Sequence, residues 1–286
     1  MIYISIDDDF DLDRIAASGQ CFRWEKLGDG HYRIPYRDML LEIEDVGDGE
    51  FAMSCTEDEF YDVWGSYFDL ETDYRWIRKR IDWRKDQFLA VACDDQKGIR
   101  IIRQDPWEMT VTSIITQNRN IPAITRSVEE LAKRAGERKE APDGTVYYTF
   151  PGPEAILAMS GEDLDACRLG YRARYVRCAA EAAVNGELDP QRLLQMKRSE
   201  RMAALTSVCG IGEKVASCIL LFGLHDLDAF PKDVWINRVL EEQYRDGYPF
   251  EEYSPYNGVY QQYMFAYYRK LMGKTDAAPG PEGEDR

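Results

Sequence analysis

Lys214 and Asp233 are the residues of this chain whose types and setting suit covalent chemistry at an electrophilic carbon. Lys214 stands in the first turn of a helix expected to start near Glu213. Helix starts favour acids, because their unpaired N–H groups carry partial positive charge. That field disfavours an ammonium ion and favours the neutral amine, the form that attacks as a nucleophile. Asp233 follows nineteen residues later, in Phe-Pro-Lys-Asp-Val-Trp-Ile-Asn-Arg-Val. This reads as a loop entering a helix, with Asp233 as N-cap before Val234. A fixed carboxylate there suits stabilisation of a developing cation. The ordinary readings are a lysine whose head reaches solvent and an aspartate that only caps.

Between these possibilities stands the turn before Lys214. Gly210-Ile211-Gly212 joins a short helix ending near Val208 to the helix starting near Glu213. Glycine permits positive φ and close approach of backbone to a ligand. The free N–H groups of the helix start bind phosphate without side-chain charge. Helix–helix turns often contain glycine, so the hairpin alone names no ligand. Hairpin, lysine and delayed aspartate together are far more specific than any one of them.

The elements that must position these residues change character along the chain. Up to about residue 95, short alternating stretches such as HYRIPYRDMLLEIE and GEFAMSC are separated by Gly/Asp turns and read as antiparallel strands. Spacing turns helical from Glu57 to Val91, and from Asp105 onward helices dominate, with apolar residues at i, i+3 and i+4. The fold class expected is α+β: an N-terminal antiparallel sheet domain over 1–95, a mostly helical domain over 96–273, and a disordered tail over 274–286. Asp143–Gly144 and Pro151–Gly152 mark loops.

Composition sets outer limits. No apolar run approaches the roughly 20 residues that span a bilayer, so no membrane partner is expected. The N-terminus is acidic and lacks a basic-then-apolar leader, which predicts an intracellular, cytoplasmic protein. Seven irregularly spaced cysteines and no C-x-x-C predict reduced thiols, and two histidines argue against a histidine-rich metal site. The net charge of −16 counts against nucleic acid. Its distribution counts for it: acid gathers at Asp7–Asp13, Glu42–Glu59 and Glu282–Asp285, while Arg168, Arg172, Arg174 and Arg177 lie between Cys167 and Cys178 without an acid.

Ser18–Trp24 (SGQCFRW), Ile99–Glu108 (IRIIRQDPWE), Ile115–Ile121 (ITQNRNI), Leu169–Val176 (LGYRARYV) and the hairpin helix occur in an order that resembles the 8-oxoguanine DNA glycosylases of the helix-hairpin-helix superfamily. The resemblance covers roughly residues 1–272. It implies a bifunctional glycosylase and abasic-site lyase of base excision repair, acting on double-stranded DNA as a monomer. Lys214 becomes the Schiff-base nucleophile and Asp233 its partner. Gly19 would offer its carbonyl to the N7 hydrogen that distinguishes 8-oxoguanine from guanine. Cys218 and Phe265 would sandwich the extruded base, and Gln261 would read its edge. Tyr171 would wedge into the duplex, Asn118 and Arg172 would read the orphaned cytosine, and Gly210 and Gly212 would bind the DNA backbone. Carbonyls of Thr206, Val208 and Ile211 would hold a structural monovalent or calcium ion. No cofactor is required for the chemistry.

Two positions depart from the family. Ala123 replaces a frequent second arginine, which predicts looser cytosine selectivity, and Trp235 replaces a frequent histidine. Two other readings remain. An endonuclease III-like glycosylase commonly carries an iron–sulfur cluster, and no cysteine follows Cys218 to hold one. A non-catalytic DNA-binding hairpin module would explain the glycines but give Lys214 and Asp233 no work.

Overall fold

The computed structural model describes residues 1–273. The expected tail, 274–286, lies outside the described residues. Strands β1 (Ile2–Ser5), β2 (Glu25–Gly28), β3 (His31–Tyr36), β4 (Met39–Gly47) and β5 (Glu50–Met53) form an antiparallel sheet in the order β1-β5-β4-β3-β2. Register explains its inner face. Tyr32 pairs with Ile43 and Ile34 with Leu41, so the buried members of β3 and β4 fall on one side. They pack with Phe51, Trp64, Phe68 and Ile102. Each fully buried aliphatic or aromatic side chain contributes about 1.5–3 kcal/mol relative to exposure.

Helix α1 (Leu12–Ala17), capped by Asp11, lies between β1 and β2 in the chain. Helices α2 (Tyr74–Lys79) and α3 (Gln87–Asp95) follow the sheet. Their buried faces, including Tyr74, Ile77, Leu89 and Cys93, join the helical core, whereas Ile102 joins the sheet core. The two cores therefore interlock across the 95/96 division. The helical body is built on α4 (Pro106–Ile115), α5 (Ile121–Ala135), α6 (Arg172–Val184), α7 (Arg198–Thr206), α8 (Glu213–Cys218), α9 (Val234–Gln243) and α10 (Asn257–Leu271). Helix α4 starts where Asp105 accepts from Trp107 and Glu108 N–H and Pro106 fills the first turn. All residues from Met109 to Ile115 are buried, so α4 is the central element of this half.

The loop expected at Asp143–Gly144 is there, as the turn of a small hairpin, β6 (Arg138–Glu140) paired with β7 (Val146–Tyr148). Strands of three residues are too short to leave an alternation signal. The four arginines of the Cys167–Cys178 stretch do not form one basic face. Arg172 is buried, Arg177 donates to Met159 O at 2.5 Å, and Arg174 is exposed.

The acidic N-terminus is also spent internally. Arg100, fully buried, donates to Asp8 and to the carbonyls of Asp9, Asp69 and Thr72. Asp9 accepts from Arg78 at 2.7 Å, and Asp13 accepts from Tyr32 at 2.6 Å. Hydrogen bonds from main-chain and cationic donors, outweighing burial, hold Asp8 and Asp13 below the usual carboxylate range.

Candidate active site

The turn between α7 and α8 is shaped by glycine. Gly210 has φ +88°, and the Tyr175 ring of α6 lies where any Cβ would project. Gln117, just past α4, donates from Nε2 to Gly210 O at 3.0 Å. The turn is thus held from two sides. Gly212 is the N-cap of α8, with no side chain to cover the helix start.

Lys214 occupies the second position of α8. Its Nζ donates to Thr116 Oγ1 at 3.3 Å, while that hydroxyl spends its own proton on Ser113 O at 2.7 Å. Asp233 caps α9, accepting from Ile236 N at 2.8 Å. Burial raises the Asp233 carboxyl, against the pull of that backbone bond and of the Lys214 and Arg269 cations. Cys218, one turn after Lys214, is buried, and burial raises its thiol against the pull of Lys214. Lysine, aspartate and cysteine thus share one electrostatic environment. An amine and a carboxylate in that environment can add to an electrophilic carbon and stabilise the cation that forms there.

Phe265, on α10, lies against Gly19, and the Arg269 cation over its ring also acts on Asp233. A Cβ on Gly19 would come within 3.4 Å of Phe265 Cε1, so the absence of a side chain at 19 leaves the ring its space. Gly19 has φ +81°, which a β-carbon would strain. Gln261 is buried on α10; its amide donates to Pro231 O at 3.1 Å and its oxygen accepts from Gln262 at 2.9 Å.

A second group lies at the N-terminus of α6. Tyr171 is 52% exposed and packs edge-on against Tyr175. Asn118, with φ +51°, donates to Tyr171 Oη at 3.3 Å. The Arg172 guanidinium stacks 4.4 Å over the Tyr171 ring. Its donors go to Gln117 O at 2.8 Å, to Asn118 O and to Leu169 O. Ala123 lies in the first turn of α5, its N–H taken by Asn120 at 3.0 Å. Trp235 lies 6.3 Å from Tyr268, with Arg238 over its ring. Among the turn carbonyls, Val208 O accepts from Ile211 N at 3.0 Å.

Sequence reasoning missed several residues. Thr116 lies inside ITQNRNI, where the sequence assigns it no role; it touches Lys214 across 98 residues of chain. Arg269 places its guanidinium 5.1 Å from the Phe265 ring, and its i+4 spacing from Phe265 was the available signal. Gln20, Arg23 and Trp24 pin the Ser18–Trp24 segment. Gln20 donates to Arg100 O at 2.7 Å and accepts from Ile102 N at 3.0 Å. Arg23 bridges Glu129, Glu108 and Tyr148 O, and Trp24 donates to Tyr67 Oη at 2.8 Å. These fix where Gly19 stands.

Two family models match successive parts of the chain, meeting at 110/111. Residues 2–110 match the family described as 8-oxoguanine DNA glycosylase, N-terminal domain, and 111–247 match the HhH-GPD superfamily of base excision DNA repair proteins. The structure of MBOgg1 in complex with a low-affinity DNA ligand is 36% identical, with a TM-score of 0.87, and the match covers 95% of this chain and 96% of that one. The 8-oxoguanine glycosylase/lyase of Clostridium acetobutylicum, in complex with DNA containing cytosine opposite 8-oxoguanine, is 30% identical, with a TM-score of 0.84 over 96% and 99% of the two chains. A probable N-glycosylase/DNA lyase of Methanothermobacter thermautotrophicus is 30% identical over 60% of this chain, and the match spans 59% of that relative's length. Among the described residues, no helix is long and apolar enough to cross a membrane.

Proposed function

The chain belongs to the 8-oxoguanine DNA glycosylases of the HhH-GPD superfamily, and from that premise we propose that it excises 8-oxoguanine from duplex DNA and cleaves the resulting abasic strand. The observation that carries this reading is the common environment of Lys214, Asp233 and Cys218 beside the glycine turn. The damaged nucleotide leaves the stack, because its sugar carbon is inaccessible within it. The neutral Lys214 amine attacks C1′, the C1′–N9 bond breaks, and the base leaves with the bonding pair and a proton. Asp233 stabilises the positive charge that develops on the sugar. Ring opening gives a Schiff base, and β-elimination expels the 3′ phosphate.

Phe265 and Cys218 flank the extruded base, Gly19 offers its carbonyl, and Gln261 reads the edge. Tyr171 fills the gap in the duplex, Asn118 and Arg172 face the orphaned base, and Gly210 and Gly212 hold a phosphate on backbone N–H groups. The turn also offers main-chain oxygens of Thr206, Val208 and Ile211 to a monovalent or calcium ion. Neutral oxygens suit such a cation, and Val208 O, with one hydrogen bond accepted, keeps a second lone pair. An ion there adds positive charge beside the phosphate. The chemistry needs no other cofactor.

Borohydride trapping on duplex DNA with 8-oxoguanine opposite cytosine tests the assignment. The wild-type chain should give a covalent complex. Lys214→Gln should give none while binding the duplex within a few-fold of wild type. Near-normal trapping by the variant would overturn Lys214 as nucleophile.

A further inference from the structure

The seven cysteines divide by placement. Cys21, Cys55, Cys93, Cys167 and Cys218 are buried, whereas Cys178 is half-buried and Cys209 is exposed. Those two meet. Cys209 immediately precedes Gly210, the glycine against which the Tyr175 ring rests. Cys178 comes three residues after Tyr175, on the same face of α6. The Tyr175–Gly210 contact brings the two segments together, and burial first, then the neighbouring Cys209, raise the Cys178 thiol.

We propose that Cys178 and Cys209 form an oxidative modification site, a dithiol that a peroxide converts into a reversible disulfide clamping the glycine turn onto α6. The site is separate from the reaction proposed above and does not depend on it. The exposed Cys209 thiolate attacks one peroxide oxygen. An S–O bond forms, the O–O bond breaks, and hydroxide leaves. Cys178 sulfur then attacks the sulfenic sulfur, the S–S bond forms, and a second hydroxide leaves. With the two thiol protons the balance is two thiols and one hydrogen peroxide giving one disulfide and two waters. A small dithiol reverses it by exchange. Arg174 favours the Cys178 anion and Glu181 opposes it. Exposure suits Cys209 for the first attack, and placement one turn past Tyr175, on the face that meets the glycine turn, suits Cys178 for the second.

The bond closes a loop that runs from α6 through α7 to the start of the glycine turn, so it restricts the unfolded chain. The test treats the whole folded chain with hydrogen peroxide, alkylates the remaining thiols and maps peptides without reduction. The expected result is a peptide linking 178 to 209, two thiols lost of the seven, both restored by dithiothreitol, and a melting temperature several degrees above the reduced protein. Cys178→Ser should give no linked peptide and leave Cys209 as a sulfenic acid that dimedone traps. Cys209→Ser should give neither product. A wild-type chain in which Cys209 traps dimedone or oxidises further without a link overturns the proposal. So does a link between other cysteines, or a link that leaves the melting temperature unchanged.

Discussion

The two ends of the candidate site are finished to different degrees. At Lys214 and Asp233 the polar groups are already aimed. One hydroxyl with a single free role receives the amine, one helix cap fixes the carboxylate, and burial keeps both in a common field. At Asn118 and Arg172 the donors are occupied by the protein itself. Arg172 gives its hydrogen bonds to three carbonyls, and Asn118 gives one to Tyr171. A preorganised end contributes its interaction in full. An end that must first release internal partners contributes only the difference between old bonds and new. On the reading proposed above, the catalytic end is arranged before DNA arrives, and the reading of the opposite base is a matter of exchange.

Asp233→Asn tests the finished end most sharply. Asparagine is a good N-cap, so the bond to Ile236 N should survive while the negative charge is lost. Single-turnover excision should fall about 10²–10³-fold, the scale for losing one preorganised electrostatic partner. Stability should move the other way. The wild-type carboxyl is raised in the folded chain, so its ionised form is penalised above that raised value. The penalty fades as pH falls through it towards the unfolded value. The variant should melt at or above the wild-type temperature at neutral pH, and the gap should close on acidification. A variant that unfolds readily at neutral pH would make Asp233 a structural residue.

Ala123→Arg addresses the unfinished end. A bidentate base contact is worth about 1–3 kcal/mol of discrimination, or roughly ten- to a hundredfold. The wild-type chain should excise 8-oxoguanine opposite adenine or thymine measurably as well as opposite cytosine, and the variant should sharpen the cytosine preference by up to that factor. Four duplexes differing only in the opposite base give the comparison. Strict cytosine dependence in the wild type, unchanged in the variant, would show that occupied donors at Arg172 are no handicap.

Thr116→Val should produce the smallest effect. It removes the acceptor of Lys214 Nζ while keeping the β-branched shape. The single-turnover rate should drop about tenfold, the scale of roughly 1.4 kcal/mol. Duplex affinity should stay within a few-fold. A rate loss matched by equally weaker binding would mean that Thr116 only supports the fold.

The same contrast governs what could be read from the residues alone. Lys214, Asp233 and the glycine turn announce themselves, because helix starts, caps and positive-φ turns are local grammar. So do β3 and β4, through alternation. Thr116, Arg269 and Gln20 do not, since their meaning comes from partners far along the chain or from another helix. Arg172 shows the limit from the other side. Its type and motif assign it a donor role, but its side chain is folded inward and bonded to carbonyls of the loop after α4, which no spacing could reveal. The N-terminal aspartates stand out in the sequence only as a concentration of acid; in the fold Asp11 caps α1 and Asp8 is a counterion of Arg100.

The meeting of Gly19 with Phe265 has a consequence for the order in which the protein is made. Domains tend to fold as units, N-terminal first, while synthesis proceeds. Here one partner of the contact leaves the ribosome near the start and the other with the last helix. The sheet and its core can assemble early, but the buried Arg100 must emerge before Asp8 gains its counterion, and α10 must dock before Gly19 meets Phe265. A nascent chain could hold most of its native structure and still lack that contact. On the reading proposed above, activity is thus coupled to completion of the polypeptide, and a chain truncated before α10 would carry Lys214 and Asp233 without the aromatic ring proposed to hold the base.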